Sequence, residues 1–403
     1  MKKPFFSSLK CLLLLGINLI SSNLHANPSL ANINLGSKPK APVVTPSAPT
    51  LNAKAYILID VNSGKIIAEK NSEEKLPPAS LTKMMTLYVI SNALHHKQID
   101  PTDQVRVSKK AWQTGGSRMF VKEGQEVSIE NLVKGIIVDS GNDACVAMSE
   151  FLGGSEHGFT QLMNQQAQQL GMNDSNFTDS TGLPDKKLHS TAKDLAILGR
   201  GLIQDFPEYY NWYQQKWFKF NGIRQANRNR LLWRDSQVDG LKTGHTDKAG
   251  YCLVASAKQE NMRLLAVVLG SPNEASRAND SERLLNYGFR FFETHELYKA
   301  NTTISELPVY KGSINKISVG LHQGQYATIP TGQYQQLSVT TSIPKYLQAP
   351  IALGDKIGEL VVKFDNKTIS TQPLYALKAA EKGGLFTRAK DSVTLTIKSW
   401  FGA

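Results

Sequence analysis

The sequence predicts an α+β domain, in which an antiparallel sheet is flanked by helices and interrupted by a helical insertion, followed by a small all-β domain. Two strand patterns, 55–61 and 65–70, meet at the turn Asn62-Ser63-Gly64 and predict a hairpin. Two further strand patterns follow Lys242, after a long stretch with helical periodicity. From about residue 297, short alternating runs are divided by Gly and Pro, which is typical of a small β domain.

The helical stretch separates the two ends of the sheet. Its apolar residues recur with helical spacing, so we expect helices from residue 80 onward and over 132–138, 156–170 and 191–203. The strands after Lys242 should then join the hairpin in one sheet. A cleft is expected where the sheet meets the helices.

A serine and a lysine lie three residues apart at that junction. Leu76-Pro77-Pro78-Ala79 disfavours helix, because a residue before proline is pushed toward extended conformations, so a helix should begin near Ser80. The following run, 81–90, is almost wholly apolar and predicts a buried helix in which Lys83 is the exception. Burial lowers the pKa of a lysine, and a neutral amine one turn from Ser80 can take its proton. Alone, the pair could equally be an N-cap serine and a surface lysine.

Ser140-Gly141-Asn142 supplies a second set of polar groups. The Ser140 hydroxyl can relay a proton from Lys83 to a leaving group. The Asn142 amide can hold the lysine and bind a substrate amide. Alone, this tripeptide would be an ordinary glycine-containing turn.

Lys242-Thr243-Gly244-His245 comes directly before the two predicted strands. Lys242 and Thr243 offer a cation and a hydroxyl to an anionic substrate end. Gly244 has no Cβ, so a ligand backbone can approach the strand closely.

These motifs occur in an order that resembles a known family. Pro78 to Lys83, Asp139 to Ala144 and Asp239 to Thr246 resemble serine D-alanyl-D-alanine carboxypeptidases, low-molecular-mass penicillin-binding proteins of the penicillin-binding protein 5 type (peptidase family S11). The resemblance covers roughly residues 51–403. It implies a β-lactamase/transpeptidase-like domain that removes the terminal D-alanine from peptidoglycan pentapeptides, with β-lactam antibiotics as covalent inhibitors and with no cofactor or metal.

The resemblance also implies roles for single residues. Ser80 would form the acyl-enzyme, and the backbone N–H groups of Ser80 and His245 would form the oxyanion hole. Arg277 would help to hold the terminal carboxylate, with Arg228 in support. A solvated surface arginine remains an alternative at each of these last two positions.

Several other functions remain open. A D,D-endopeptidase or a β-lactamase of the same fold, and a non-catalytic penicillin- or wall-binding protein, would carry similar motifs. Class A β-lactamases use a Glu-x-x-Leu-Asn element before the Lys-Thr-Gly motif. Here Glu282-Arg283-Leu284-Leu285-Asn286 follows Lys242 and falls in a predicted amphipathic helix over 281–292, so we interpret Glu282 as structural.

The two ends of the chain indicate export and membrane attachment. Residues 1–26 have a basic start, an apolar stretch and a small-residue end, which predicts a signal peptide. A flexible linker (27–50) should lead to the enzyme domain (51–296) and the all-β domain (297–384). The tail, 385–403, is predicted to be an amphipathic anchor on the outer face of the inner membrane, in the periplasm. The alternating Val393, Leu395 and Ile397 leave a terminal strand as the alternative.

Charge and cysteines limit the remaining possibilities. The formal net charge of +12 suits an anionic envelope, whereas export and the lack of an aromatic-interleaved basic motif disfavour nucleic acid. After signal cleavage, Cys145 and Cys252 remain. An exported compartment permits a disulfide between them, but both lie in apolar runs, where free cysteines are common core residues.

Overall fold

The structure is a computed structural model that describes residues 44–400. The predicted signal peptide (1–26), the first part of the predicted linker and the last three residues of the predicted anchor lie outside the described residues. Within the described range, the chain forms two compact units. The larger contains residues 44–302 and 321–337, and the smaller contains residues 303–320 and 338–400.

The strands and helices are numbered in chain order. The strands are β1 (Ala55–Asp60), β2 (Ile66–Lys70), β3 (Gln104–Arg106), β4 (Glu126–Ser128), β5 (Trp217–Phe220), β6 (Ile223–Ala226), β7 (Val238–Thr246), β8 (Gly250–Gln259), β9 (Met262–Ser271), β10 (Phe292–Tyr298), β11 (Thr303–Tyr310), β12 (Lys316–Gly320), β13 (Gln325–Pro330), β14 (Leu337–Ser342), β15 (Leu347–Gln348), β16 (Lys356–Phe364) and β17 (Lys367–Ala376). The α-helices are α1 (Lys83–His95), α2 (Lys109–Gln113), α3 (Ile129–Lys134), α4 (Asn142–Gly153), α5 (Glu156–Leu170), α6 (Ala192–Gln204), α7 (Pro207–Tyr210), α8 (Leu231–Arg234), α9 (Glu274–Phe291) and α10 (Leu385–Trp400). Short 3-10 turns lie at Ala79–Thr82, Asn211–Gln214 and Tyr334–Gln336, and a π turn lies at Gly135–Asp139.

The central sheet of the larger unit has five strands in the order β2-β1-β9-β8-β7. All neighbours are antiparallel, and β9 from the far end of the domain pairs with β1. The predicted hairpin and the predicted joining of the two chain ends in one sheet are therefore both confirmed. Neighbouring residues alternate between two apolar cores, with Ile57 in one and Leu58 in the other, so both faces of the sheet are covered.

Helices cover the sheet on both sides. The buried run of α1 enters the core that contains Ile57, as its apolar sequence predicts. On the other face, α9 packs so closely that a Cβ on Gly288 would lie 2.5 Å from Leu264 Cδ1. The predicted helix 281–292 is therefore the second half of a longer helix, which begins where the side chain of Asn273 accepts the Ser276 N–H.

The predicted helices of the insertion occur with small changes. Those over 156–170 and 191–203 correspond to α5 and α6. The helix expected over 132–138 is instead α3 followed by the π turn, and the turn ends at Ser140 in a left-handed conformation, with φ of 58°. This change of backbone direction places Ser140 between two helices.

The smaller unit contains the second sheet, with six strands in the order β14-β16-β17-β12-β11-β15. The β10–β13 pair belongs to the larger unit, whereas the sequence analysis placed β13 in the all-β domain and its boundary at residue 297 cut through β10. A buried hydrogen bond, in which Thr294 Oγ1 donates to Asp60 Oδ2 at 2.9 Å, joins β10 to β1.

The tail is helical over Leu385–Trp400, so the alternative of a terminal strand is wrong. The Asp391 carboxylate of this helix accepts the Lys311 N–H at 2.5 Å. In the described part of the chain, no helix combines the length and hydropathy that a membrane crossing requires.

Cys145 and Cys252 are both free and fully buried, so the disulfide alternative is wrong for this structure. Burial raises the pKa of the Cys145 thiol to about 12 and that of Cys252 to about 11. Both thiols therefore stay protonated at neutral pH and act as small core residues.

Asp139 is a buried carboxyl at the end of the π turn, 2% exposed, and its Oδ1 has no hydrogen-bond partner among the described residues. Burial raises the pKa of Asp139 to about 7; the charge of Asp143 raises it further, whereas that of Arg228 lowers it. A neutral carboxyl is thus favoured in the folded protein below neutral pH.

The pKa of Asp139 is higher in the folded protein than in the unfolded chain. As pH rises from about 4 to about 7, Asp139 therefore ionises more readily in the unfolded chain, and the folded protein loses stability. We predict that the free energy of unfolding of the unchanged protein, relative to Asp139→Asn, falls across that interval and is constant above it. Denaturant unfolding at several pH values measures the difference. The exposed Asp247→Asn is the control, and a pH-independent difference for Asp139→Asn would refute the assignment.

Candidate active site

Ser80 lies in the 3-10 turn that leads into α1. The Pro78 carbonyl accepts the Leu81 N–H at 3.1 Å and closes this turn, and Lys83 is the first residue of α1. The Lys83 Nζ lies 3.1 Å from the Ser80 Oγ. Ser80 is partly exposed, so a hydroxyl open to the cleft meets an amine that comes from the core.

Lys83 is fully buried, at 0% exposure. Burial lowers the pKa of its amine, the nearby Cys145 and Asp179 oppose this shift, and the charge of Arg228 adds to it. The amine also donates a hydrogen bond to the Thr181 carbonyl at 2.5 Å. A lysine held in this way is prepared to lose its charge and act as a base.

The Thr181 carbonyl is positioned by a turn that the sequence analysis missed. Asp179 Oδ1 accepts the N–H groups of Thr181 and Gly182 and the Thr181 hydroxyl, each at 2.6 Å. Gly182 has φ of +85°, and a Cβ there would lie 1.9 Å from the Ala79 carbonyl oxygen. The available signal was the Asp-Ser-Thr-Gly sequence, because Asp often starts such turns and Gly permits positive φ.

Ser140 and Asn142 have partners other than those expected. The Ser140 Oγ accepts a hydrogen bond from Lys242 Nζ at 2.9 Å, rather than meeting Lys83. The Asn142 Nδ2 donates to the Gly115 carbonyl at 2.7 Å, and Lys83 is held by Thr181 in its place. Ser140 is thus bonded to the Lys242 strand, and Asn142 to the loop that contains Gly115.

Asp143, next to Asn142, fixes the loop that contains Gly115. Its carboxylate accepts the backbone N–H groups of Met119, Phe120 and Val121, at 3.0, 2.9 and 3.2 Å. The sequence analysis did not identify this role, because nothing in the sequence marks which backbone groups a buried carboxylate will accept.

Lys242 lies on β7 and is 2% exposed. Its Nζ also donates to the Thr243 carbonyl at 3.0 Å. Burial holds the pKa of Lys242 well below its usual range, and the charges of Lys83 and Arg228 add to the effect. An anion that entered the site would favour the charged form of this amine.

Gly244 permits a contact different from the one expected. A Cβ at this residue would lie 2.9 Å from the Pro78 carbonyl oxygen and 3.2 Å from the Leu81 nitrogen. The missing side chain therefore lets β7 lie against the turn that carries Ser80, whereas the sequence analysis assigned it to the approach of a ligand.

The remaining predicted residues lie along the same strand edge. Thr243 is buried, and the exposed His245 ring packs on Tyr251 with the centroids 4.0 Å apart. Arg277 is 4% exposed, with its guanidinium 5.6 Å from the Tyr251 ring, so the alternative of a solvated arginine is wrong here. Arg228 is exposed, but its charge acts on both Lys83 and Lys242.

Glu282 lies on α9 and forms an ion pair with Arg234 at 3.8 Å, consistent with a structural role. Among residues 44–400, no group of three or more His, Cys, Asp or Glu side chains could hold a metal ion. The serine and the two buried amines of this arrangement offer nucleophilic attack, proton transfer and the binding of an anionic substrate end.

Comparison with known proteins agrees with this chemistry. Residues 42–273 match the family described as D-alanyl-D-alanine carboxypeptidase, peptidase S11. Residues 292–382 match the family described as penicillin-binding protein 5, C-terminal domain. The two matches follow each other along the chain.

Individual relatives are similar over most of their length. D-alanyl-D-alanine carboxypeptidase DacC of Escherichia coli is 44% identical, over 89% of this chain and 92% of the relative. DacA of the same organism is 42% identical, over 89% and 91%. The crystal structure of penicillin-binding protein 5 from Haemophilus influenzae has a TM-score of 0.77 and 42% identity, covering 84% of this chain and 100% of the other. The chain therefore belongs to the D-alanyl-D-alanine carboxypeptidase family, peptidase S11, and is a hydrolase of the penicillin-binding protein group.

Proposed function

We propose that this enzyme removes the terminal D-alanine from peptidoglycan pentapeptides through an acyl-enzyme on Ser80, and so limits cross-linking. The observation that carries the proposal is the 3.1 Å contact between the Ser80 Oγ and the Lys83 amine, whose pKa is lowered by burial. Lys83 takes the Ser80 proton as the oxygen attacks the carbonyl between the two D-alanines. The backbone N–H groups of Ser80 and His245 stabilise the resulting oxyanion.

The departing D-alanine carries a carboxylate, and the Lys242 side of the site fits it. Lys242, Thr243 and Arg277 supply charge and hydrogen bonds, and Arg228 adds positive charge from the cleft edge. A bound carboxylate offsets the burial of the Lys242 amine. The Ser140 hydroxyl, hydrogen-bonded to Lys242 at 2.9 Å, is placed to give its proton to the leaving nitrogen and to take in exchange the proton that Lys83 received from Ser80, which leaves Lys83 neutral again. Water, activated by Lys83, then releases the shortened peptide.

Ser80→Ala removes the nucleophile and leaves the rest of the cleft intact. We predict that it abolishes covalent labelling by fluorescent penicillin and lowers D-alanine release from a pentapeptide by about a thousandfold or more. Ser342→Ala, an exposed serine on β14, is the matched control and should keep both activities.

Penicillin labelling and D-alanine release, together with analysis of digested sacculi, distinguish the alternative functions. Penicillin labelling without D-alanine release would indicate a non-catalytic binding protein. Opened cross-links in digested sacculi, without D-alanine release, would indicate an endopeptidase.

The position of Glu282 on α9, paired with Arg234, leaves the penicillin acyl-enzyme without the glutamate that class A β-lactamases use. We predict that one equivalent of penicillin inactivates one equivalent of enzyme and that the adduct persists through many times the acylation half-time. Intact-protein mass spectrometry follows the adduct. Fast multiple-turnover hydrolysis of penicillin would contradict this prediction and support a β-lactamase.

We also propose that the protein acts in the periplasm, attached by α10 to the outer face of the inner membrane. The support is an exposed apolar face on this helix: Leu385 is 80% exposed, Phe386 95%, Val393 62% and Ile397 51%. The exposed Arg388 and Lys390 add positive charge for anionic headgroups, although Lys390 falls within the apolar face. The predicted signal peptide supports the exported location.

Removing residues 385–403 should abolish binding to vesicles that contain anionic lipid and leave pentapeptide hydrolysis in solution unchanged. The double variant Phe386→Ser/Val393→Ser should weaken vesicle binding because it removes apolar area from the helix face. Leu353→Ser, at a residue that is 69% exposed outside the helix, is the control. Vesicle sedimentation measures binding, and a truncated protein that still sediments would exclude the anchor.

A further inference from the structure

The hairpin formed by β5 and β6 has one face that no core residue covers. Trp217 pairs with Ala226 and Lys219 pairs with Arg224, so these four side chains share a face, and all are exposed. The opposite face carries Phe218, which is buried in the core of the larger unit. An alternating strand thus places an indole, at 47% exposure, on its solvent side.

A second indole joins the first from another element. Trp233 of α8, 41% exposed, meets Trp217 edge to face with the centroids 6.0 Å apart. The Arg224 guanidinium lies 4.3 Å from the Trp217 centroid and holds that ring by a cation–π contact. We call Trp217, Lys219, Arg224 and Trp233 the tryptophan platform. Exposed apolar groups gathered in this way are typical of binding sites.

The chain segment that carries the platform is basic. Residues 209–234 contain six cations and no carboxylate. Arg230 and Arg234 are paired with Glu274 and Glu282 of α9. Within the described range, Lys219, Arg224 and Arg228 have no acidic side chain within ion-pair distance. The platform therefore complements a ligand with acidic groups.

The hairpin is fixed to the wall of the active site. Gln225 Nε2 donates to the Arg118 carbonyl, and Asn221 Nδ2 donates to the Phe120 carbonyl, both at 2.9 Å. Asp143, the neighbour of Asn142, holds this same loop through the Phe120 N–H. The chain that leaves β6 leads directly to Arg228, whose charge acts on Lys83 and Lys242. The hairpin that carries the platform on its solvent face is thus held on its other face, through Gln225, to the loop beside the cleft.

We propose that the tryptophan platform binds the sugar-bearing end of a peptidoglycan muropeptide, while the D-alanine end occupies the cleft. The C–H face of a hexose packs on an indole, and carboxylates of the peptide stem meet Lys219 and Arg224. This inference rests on the proposed function, because it places the remote part of the same substrate.

Binding to the full chain with Ser80→Ala tests the platform without turnover. The probes are a free pentapeptide and the same pentapeptide joined to N-acetylglucosaminyl-N-acetylmuramic acid. Calorimetric titration should give tighter binding of the disaccharide form. Adding Trp233→Ala or Trp217→Ala should weaken the affinity for the disaccharide form about tenfold and leave the affinity for the free pentapeptide unchanged. Arg224→Gln should weaken the binding of both probes, because the stem carboxylates that meet Arg224 are common to them, without removing an indole.

Phe151→Ala is the matched control, since Phe151 is 42% exposed at the far end of α4. Equal affinity of the unsubstituted platform for both probes would overturn the proposal, as would an equal loss for both in the tryptophan variants. If the tryptophan variants lost binding to anionic vesicles but kept their affinity for both peptide probes, the platform would be a lipid-binding surface, and the proposal would be overturned. Failure of the proposed function would be seen in a different measurement: the unchanged enzyme would release no D-alanine from the free pentapeptide.

Discussion

The burial of one amine beside a hydroxyl is the constraint on which the site depends. Lys83 begins a helix whose other residues belong in the core, so its ammonium form cannot be solvated there. The buried amine is stabilised instead by its hydrogen bonds to the Thr181 carbonyl and the Ser80 hydroxyl. Each of these partners must be held in place, because an amine without partners at this depth would cost several kcal/mol.

The turn that carries Ser80 is therefore surrounded by backbone. Gly182 lies against Ala79 from one side, and Gly244 of β7 lies against Pro78 and Leu81 from the other. A side chain at either glycine would push these segments apart and move the Thr181 carbonyl or the Lys242 strand away from the serine. Side-chain hydrogen bonds complete the enclosure, with Lys242 joined to Ser140 and Asn142 joined to Gly115. Catalytic geometry here is a consequence of close main-chain packing.

Positive charge is organised around this enclosure in two zones. Inside, Lys83 and Lys242 are buried, and the pKa of each is lowered mainly by loss of solvent. Outside, the side chains of Arg228, Arg224 and Lys219 are exposed to solvent. The inner amines can change protonation state during a reaction, whereas the outer cations can attract and orient an acidic polymer. Ionic substrate recognition and proton transfer are thus assigned to different residues.

The sequence by itself determined the order of elements and the side chains that carry chemistry. The hairpin at Asn62-Ser63-Gly64, helices α5 and α6, and the contact of Ser80 with Lys83 follow from local spacing, which short-range geometry preserves. Only the tertiary structure decided that Thr181 holds Lys83, that Gly244 faces the Ser80 turn, that Arg277 is buried and that β13 joins the larger unit. Every residue has a carbonyl and, proline aside, an N–H, so the sequence cannot mark the ones that long-range packing brings to a site.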